Sequence, residues 1–262
     1  MLLSSELNFA FLHVPKCGGT SLRESFRGMP GLHNPLAEVR GTIPYETDPN
    51  HVQLCVLREY APGLMARLVP CTSYAMLRDP VARFPSALAQ HFKMFHDTDL
   101  GKLSLADVRA ATATAIDYLA ANDPVTDRRY IHFERQVRFT HLDGRQVVDR
   151  LFLLDDQAAL VDDVAVTTGY RAPSLNESNT SASFRNETLQ KIRLGFPQPV
   201  KRLLRDYMPL AGKRAIDRMF FRPSLTQARR DAILSPETRA FITAHYAEDF
   251  AAFRKAQKGT AA

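Results

Sequence analysis

A lysine, two glycines and two hydroxyls follow one another where an apolar run stops. Pro15, Lys16, Cys17, Gly18, Gly19, Thr20 and Ser21 come directly after the apolar stretch 7–14. This order of residue types suits an oxyanion. Glycines let the backbone approach an anion without a Cβ in the way. A helix starting near Thr20 turns unpaired N–H groups and the positive end of its dipole toward the same point. Thr20 and Ser21 can add hydroxyl donors, and Lys16 a mobile full charge. In a nucleoside-triphosphate loop the lysine follows the last glycine; here Lys16 precedes both, which argues against a Walker-type kinase or NTPase. The plain alternative is a strand-to-helix turn that uses glycine for geometry and lysine for solubility.

A second segment carries complementary chemistry. An apolar strand expected over 73–77 ends in Arg78, followed by Asp79, Pro80, Val81, Arg83 and Ser86. Asp79 is a good N-cap and Pro80 suits the first helical position. Arg78 therefore stands where a strand's carboxyl end meets a helix start, the binding edge of open α/β sheets. Its planar fork matches a phosphate better than an ammonium does. Ser86, about two helical turns on, can add a hydroxyl on the same side. Pro85, just before it, removes a helical N–H and crowds the preceding turn, so Ser86 is expected to be displaced. An isolated arginine at a strand end is more often a surface ion pair.

Together the two segments resemble the PAPS-dependent sulfotransferases, which transfer a sulfuryl group from 3′-phosphoadenosine 5′-phosphosulfate (PAPS). Residues 13–22, His-Val-Pro-Lys-Cys-Gly-Gly-Thr-Ser-Leu, look like that family's 5′-phosphosulfate loop, and Arg78-Asp79-Pro80-Val81 with Arg83 and Ser86 like its 3′-phosphate motif. The likeness is greatest to the carbohydrate branch of heparan sulfate 2-O- and 6-O-sulfotransferases and bacterial relatives. Glu134-Arg135-Gln136-Val137-Arg138 is similar to that branch's Asn-x-Gln-Thr-Arg segment, Leu175-Asn176-Glu177-Ser178 to its Asn-x-Ser turn, and 245–250 to its last helix. Glu134 and Val137 depart from the middle motif, and Gln90 and His91 stand where relatives often carry tyrosines.

The resemblance implies an O-sulfotransferase that uses PAPS, needs no metal, and acts on a hydroxyl of a carbohydrate or glycoconjugate. Lys16 would then face the bridging oxygen of the departing 3′,5′-ADP. The loop from Pro15 through Cys17, Gly18 and Gly19 to Thr20 and Ser21 would hold the 5′-phosphate. Arg78 and Ser86 would hold the 3′-phosphate and so separate PAPS from ATP. Glu59 follows the expected strand over 52–57, matches the position where relatives carry a catalytic histidine, and is the expected proton acceptor, with His51, His91 and His13 as alternatives. His51, Gln136 and Arg138 are candidate acceptor-binding residues. An exposed helix-start glutamate and a charged helix face account for Glu59, Gln136 and Arg138 nearly as well.

Elements must position these groups. Strands are expected over 8–14, 52–57, 73–77 and 150–154, alternating with helices over 20–27, 62–68, 80–95, 104–121, 125–139 and 156–168, with Gly169 as a C-cap. That alternation predicts a three-layer α/β fold, a parallel sheet with a P-loop-like nucleotide-binding core. Residues 170–184 read as a loop. The whole chain, 1–262, reads as one sulfotransferase-like domain with a mainly helical C-terminal part over about 185–258, including a basic helical segment 201–222.

With 262 residues, 45% of them hydrophobic, the chain can bury a full core. Three cysteines, Cys17, Cys55 and Cys71, are too few for a disulfide framework or a zinc site and fit a reducing compartment. No apolar stretch approaches the roughly 20 residues of a membrane span, and the opening residues do not read as a signal peptide. A soluble, cytoplasmic, bacterial protein is expected. The net charge of +6 and pI near 9.3 suit an anionic ligand. Arginines cluster over 128–150 and basic residues over 191–230, but no zinc-finger, RNP or basic-zipper signature accompanies them, so nucleic acid is not an expected partner. Two alternatives remain open: a non-catalytic module on the same fold that binds a nucleotide or an anionic glycan, and a P-loop kinase or NTPase. The oligomeric state is left open.

Overall fold

The structure is a computed structural model, and it describes residues 1–96, 98–172, 182–184, 221–223 and 225–259. In chain order the strands are β1 (Leu2–Ser4), β2 (Phe9–Leu12), β3 (Thr72–Leu77), β4 (His141–Leu142), β5 (Arg145–Gln146), β6 (Arg150–Leu153), β7 (Ala182–Phe184) and β8 (Phe221–Pro223). The helices are α1 (Gly19–Ser25), α2 (Leu36–Val39), α3 (Leu54–Tyr60), α4 (Pro62–Leu68), α5 (Pro80–Phe95), α6 (Leu105–Ala121), α7 (Gln157–Thr168), α8 (Gln227–Ile233), α9 (Pro236–His245) and α10 (Ala247–Gly259).

The four-stranded sheet has the order β1-β2-β3-β6. The strands β2, β3 and β6 run parallel, with Phe11 opposite Tyr74 and Ala75 opposite Leu151. Every residue of β2 is buried, as are the last five of β3. Burial of both faces is why these strands appear in the sequence as unbroken apolar runs. Helices pack around the sheet, making an α/β architecture. The first strand departs from the expected all-parallel sheet: β1 pairs antiparallel with β2 along its edge.

Two expected elements are corrected. The stretch 52–57 is not a strand. Leu54–Tyr60 forms α3, which buries Leu54 and Leu57 one turn apart; a short apolar run fits a strand and a buried helix face equally well. Nor is 125–139 one helix. It is two 3-10 turns, Arg128–Phe133 and Gln136–Phe139, with Glu134 and Arg135 extended between them. The buried Glu134 carboxylate accepts bonds from the backbone N–H of Val125 and Arg135 and from the Gln53 amide. A side chain that takes local N–H groups in this way competes with a helix. By contrast, Pro62–Leu68 and Pro80–Phe95 match the expected bounds, and Gly169 caps α7 at φ 73°.

In the C-terminal part, β7 and β8 pair antiparallel, so the expected loop over 170–184 and the expected helical segment 201–222 each contribute a strand at their described end. Helices α8, α9 and α10 then follow. Residues 185–220 lie outside the described residues, as do Asn176, Glu177 and Ser178 of the Asn-x-Ser resemblance and most of the basic stretch 191–230. No helix among the described residues is long and apolar enough to cross a membrane.

Candidate anion-binding site

The carboxyl ends of β2 and β3 lie side by side and deliver Lys16 and Arg78 to one edge. After β2 the chain turns through Lys16 at φ 62° and Gly18 at φ 79° before α1 begins. A lysine in the left-handed region is uncommon and costs energy; the turn holds its backbone there. Gly18 is required by that positive φ, and a Cβ on it would also strike Leu154. Gly19 has a different reason: a Cβ there would overlap the His13 ring. Beside the loop, Cys17 is buried, its thiol donates to Gln136 Oε1 at 3.2 Å, and burial pushes its pKa up to about 12. It serves as packing and not as a nucleophile. Thr20 is exposed at the helix start, while Ser21 is buried.

The helix α5 supplies the other wall. Asp79 caps it by accepting from the Ala82 N–H at 2.8 Å. Pro85 lies inside this helix, yet Ser86 is not displaced: Arg78 Nη1 donates to Ser86 Oγ at 3.0 Å. Gln90, one turn further, accepts from Lys16 Nζ at 3.1 Å. Lys16, Arg78 and Ser86 are thus brought together, and Gln90 joins them. Its signal in the sequence is its i+4 spacing from Ser86. Arg83 of the same motif turns inward. It is buried, donates to the carbonyls of His132, Phe133 and Glu134, and lies 3.7 Å from the Asp249 carboxylate. It fastens α5 to the 3-10 segment.

Electrostatically the edge is cationic. Burial, with Arg78 and Lys93 close by, brings the Lys16 ammonium down to about 8. Burial also lowers Arg78, with Arg230 adding to the effect and Asp155 opposing it. Among the described residues no carboxylate hydrogen-bonds to Lys16 or Arg78. Two half-buried cations that hydrogen-bond no carboxylate among the described residues, one of them a guanidinium fork, have the chemistry to hold an oxyanion.

A buried histidine cluster adjoins the loop. His51 Nδ1 meets the His13 carbonyl at 2.8 Å, which makes that nitrogen the donor and leaves Nε2 as the acceptor. Asp48 Oδ1 lies 4.0 Å from His51 Nε2. The His51 ring centroid is 4.4 Å from that of His13 and 5.4 Å from that of His132. Burial depresses both His51 and His132 to about 3, and Lys16 contributes to each shift. All of these rings are therefore neutral near pH 7. His132 and Asp48 carried no signal in the sequence, because only the fold brings them beside His51.

The remaining candidates fall elsewhere. Glu59 is exposed on α3, where it accepts a bond from the Tyr60 side chain; the strand end that recommended it does not exist. Gln136 is fully buried, and its amide bonds both the N–H and the carbonyl of Arg78, at 2.9 and 2.8 Å. Its backbone N–H and that of Val137 bond the Asp249 carboxylate. Gln136 is a brace for the strand end and has no surface to offer an acceptor. Arg138 pairs with Asp123 at 3.0 Å, and His91 bonds the Arg129 carbonyl and His96. No cluster of three or more His, Cys, Asp or Glu side chains that could hold a metal occurs among the described residues. No family model, curated protein or solved structure matches the chain.

Proposed function

We propose that this chain is a PAPS-dependent O-sulfotransferase acting on a hydroxyl of a carbohydrate or glycoconjugate. The observation that carries the reading is the convergence of Lys16 with the Arg78–Ser86 pair at the carboxyl ends of two adjacent parallel strands. The donor set fits PAPS, which has two separate anionic groups: two cations and a hydroxyl with no paired carboxylate. Bound PAPS supplies the sulfuryl group and, after transfer, leaves as 3′,5′-ADP.

The roles of the chain's own residues follow. Arg78 and Ser86 bind the 3′-phosphate. The loop from Pro15 to Ser21 binds the 5′-phosphate, and Lys16 stabilises the charge that grows on the departing side. Fixed electrostatics of this kind supply most of the catalysis in the related phosphoryl chemistry. With Glu59 off the site, His51 takes the place of proton acceptor, at Nε2, with its ring held by the His13 carbonyl and Asp48 close enough to stabilise the protonated form. The depressed basicity of His51 favours a second reading, a binding module without turnover. Calorimetry tests the binding part common to both: the account requires 3′,5′-ADP to bind and ATP to bind much more weakly, and the reverse order would remove it.

A further inference from the structure

A groove of roughly 600 Å³ opens between α3, the 3-10 turn Gln136–Phe139, the β4–β5 hairpin and α10, and its lining includes none of Lys16, Arg78 or Ser86. This volume is in the range that takes a small organic ligand. Four cationic side chains line it, Arg58, Arg135, Arg138 and Lys255, against two carboxylates, Asp143 and Glu248. Arg58 is neutralised, because both its terminal nitrogens bond Asp143, at 2.5 and 3.2 Å. The others are not. Arg135 and Arg138 share the single carboxylate of Asp123, at 3.1 and 3.0 Å. Among the described residues the Lys255 ammonium hydrogen-bonds a neutral partner, Gln146 Oε1 at 3.3 Å.

Two features separate this arrangement from an ordinary solvated face. The Arg135 side chain is only 20% exposed, so a largely desolvated guanidinium shares its one ion-paired carboxylate with Arg138, while the buried Glu134 carboxylate acts on Arg138 without an ion-pair contact. Removing charge from water without full pairing is costly. The shared carboxylate also holds two planar forks side by side, and forks of this kind recognise carboxylate and phosphate groups in two-point fashion. Val137 and Ala252 are buried in the lining and give the groove an apolar floor.

We propose that this groove is a second ligand site, distinct from the phosphate loop, which takes a small organic oxyanion between the Arg135–Arg138 pair and Lys255. The inference does not depend on what occupies the loop. The shared chemistry is a carboxylate or a phosphate group, and two probes separate them. The whole chain is titrated calorimetrically with citrate and, separately, with inorganic phosphate. The comparison includes wild type, Lys16→Ala, Arg138→Gln and Lys255→Glu. At least one probe is expected to bind saturably at a site that Lys16→Ala leaves in place. Its affinity should stay within about twofold in Lys16→Ala and fall at least about tenfold in both groove variants, the scale of one lost charged hydrogen bond. Lys255 is exposed, so its variant keeps the test valid even where Arg138→Gln does not fold. Absence of saturable binding by either probe, loss of binding in Lys16→Ala, or unchanged affinity in both groove variants would overturn the proposal.

Discussion

Replacing Arg78 by alanine tests the proposed 3′-phosphate contact in isolation, because the structure separates the side chain of this residue from its backbone. Gln136 holds the Arg78 N–H and carbonyl, at 2.9 and 2.8 Å, and those bonds survive truncation. The strand end therefore stays in place, and the perturbation is confined to the guanidinium, whose Nη1 lies 3.0 Å from Ser86 Oγ. Hydrogen bonds to a charged group are worth about 1.5–3 kcal/mol each, which corresponds to about a 13- to 160-fold loss at 1.36 kcal/mol per decade. Ser86→Ala removes a hydroxyl donor to the same charged group and should fall in the same range, about 1.5–3 kcal/mol, about 13- to 160-fold. Only 3′,5′-ADP carries the 3′-phosphate; 5′-AMP does not. Calorimetry should therefore show the full loss for 3′,5′-ADP and almost none for 5′-AMP. Equal losses for the two nucleotides would refute the assignment, as would an unchanged affinity for both.

Four further outcomes follow from named contacts. Lys16 is held near pKa 8 against its usual 10.5, so affinity for 3′,5′-ADP should decline as pH rises through about 8, and Lys16→Arg should remove that decline. In the unliganded chain the same shift acts in the opposite sense. Between about 8 and 10.5 the unfolded state binds more protons, so this residue's contribution makes the fold more stable as pH rises; denaturant titrations of wild type and Lys16→Met show it as a difference in slope. Gln136→Leu leaves the two Arg78 backbone groups without partners and should cost about 2–6 kcal/mol in chemical denaturation, at about 1–3 kcal/mol per buried unsatisfied group. Gly19→Ala should destabilise the fold by about 1–3 kcal/mol through overlap with the His13 ring, and His13→Ala should recover part of that in a double-mutant cycle; strictly additive losses would dissociate the two. Glu59→Gln should leave turnover unchanged, while His51→Ala should lower it about 10²–10⁴-fold without changing 3′,5′-ADP affinity.

The legibility of the fold followed burial. Strands β2 and β3 are enclosed on both faces over Phe9–Leu12 and Tyr74–Leu77, which therefore appear as continuous apolar runs. Helix α5 announces itself through Asp79 and Pro80, whose capping chemistry is local. The stretch 52–57 reads as a strand because six residues carry too little periodicity to separate a buried helix face from a strand, and Leu54–Tyr60 forms a helix instead. The break at Glu134 was invisible because it depends on a buried carboxylate whose partners include Gln53, 81 residues away.

The site divides along the same line. Lys16, Arg78 and Ser86 lie in short segments whose residue types and spacing state their chemistry. The brace of Gln136 spans 58 residues to Arg78 and 119 to Cys17, and no local pattern encodes it. The reason for Gly19 lies six residues back in His13, where only the folded turn brings the ring against it. Glu59 is expected partly from a strand over 52–57 that the chain does not form, and it stands exposed on α3 instead.

The central claim is transfer, and the most direct measurement follows the sulfuryl group itself. Purified wild type is incubated with PAPS carrying a labelled sulfuryl group and a panel of polysaccharide, glycolipid and small glycoside acceptors, and products are read by mass spectrometry. The account predicts an acceptor gaining one sulfuryl group with stoichiometric release of 3′,5′-ADP, and a rate lower by about 10²–10³ in Lys16→Ala, the usual loss for one such electrostatic contact. Binding of 3′,5′-ADP with no sulfated product from any acceptor would contradict it, and so would a Lys16→Ala variant that transfers at the wild-type rate.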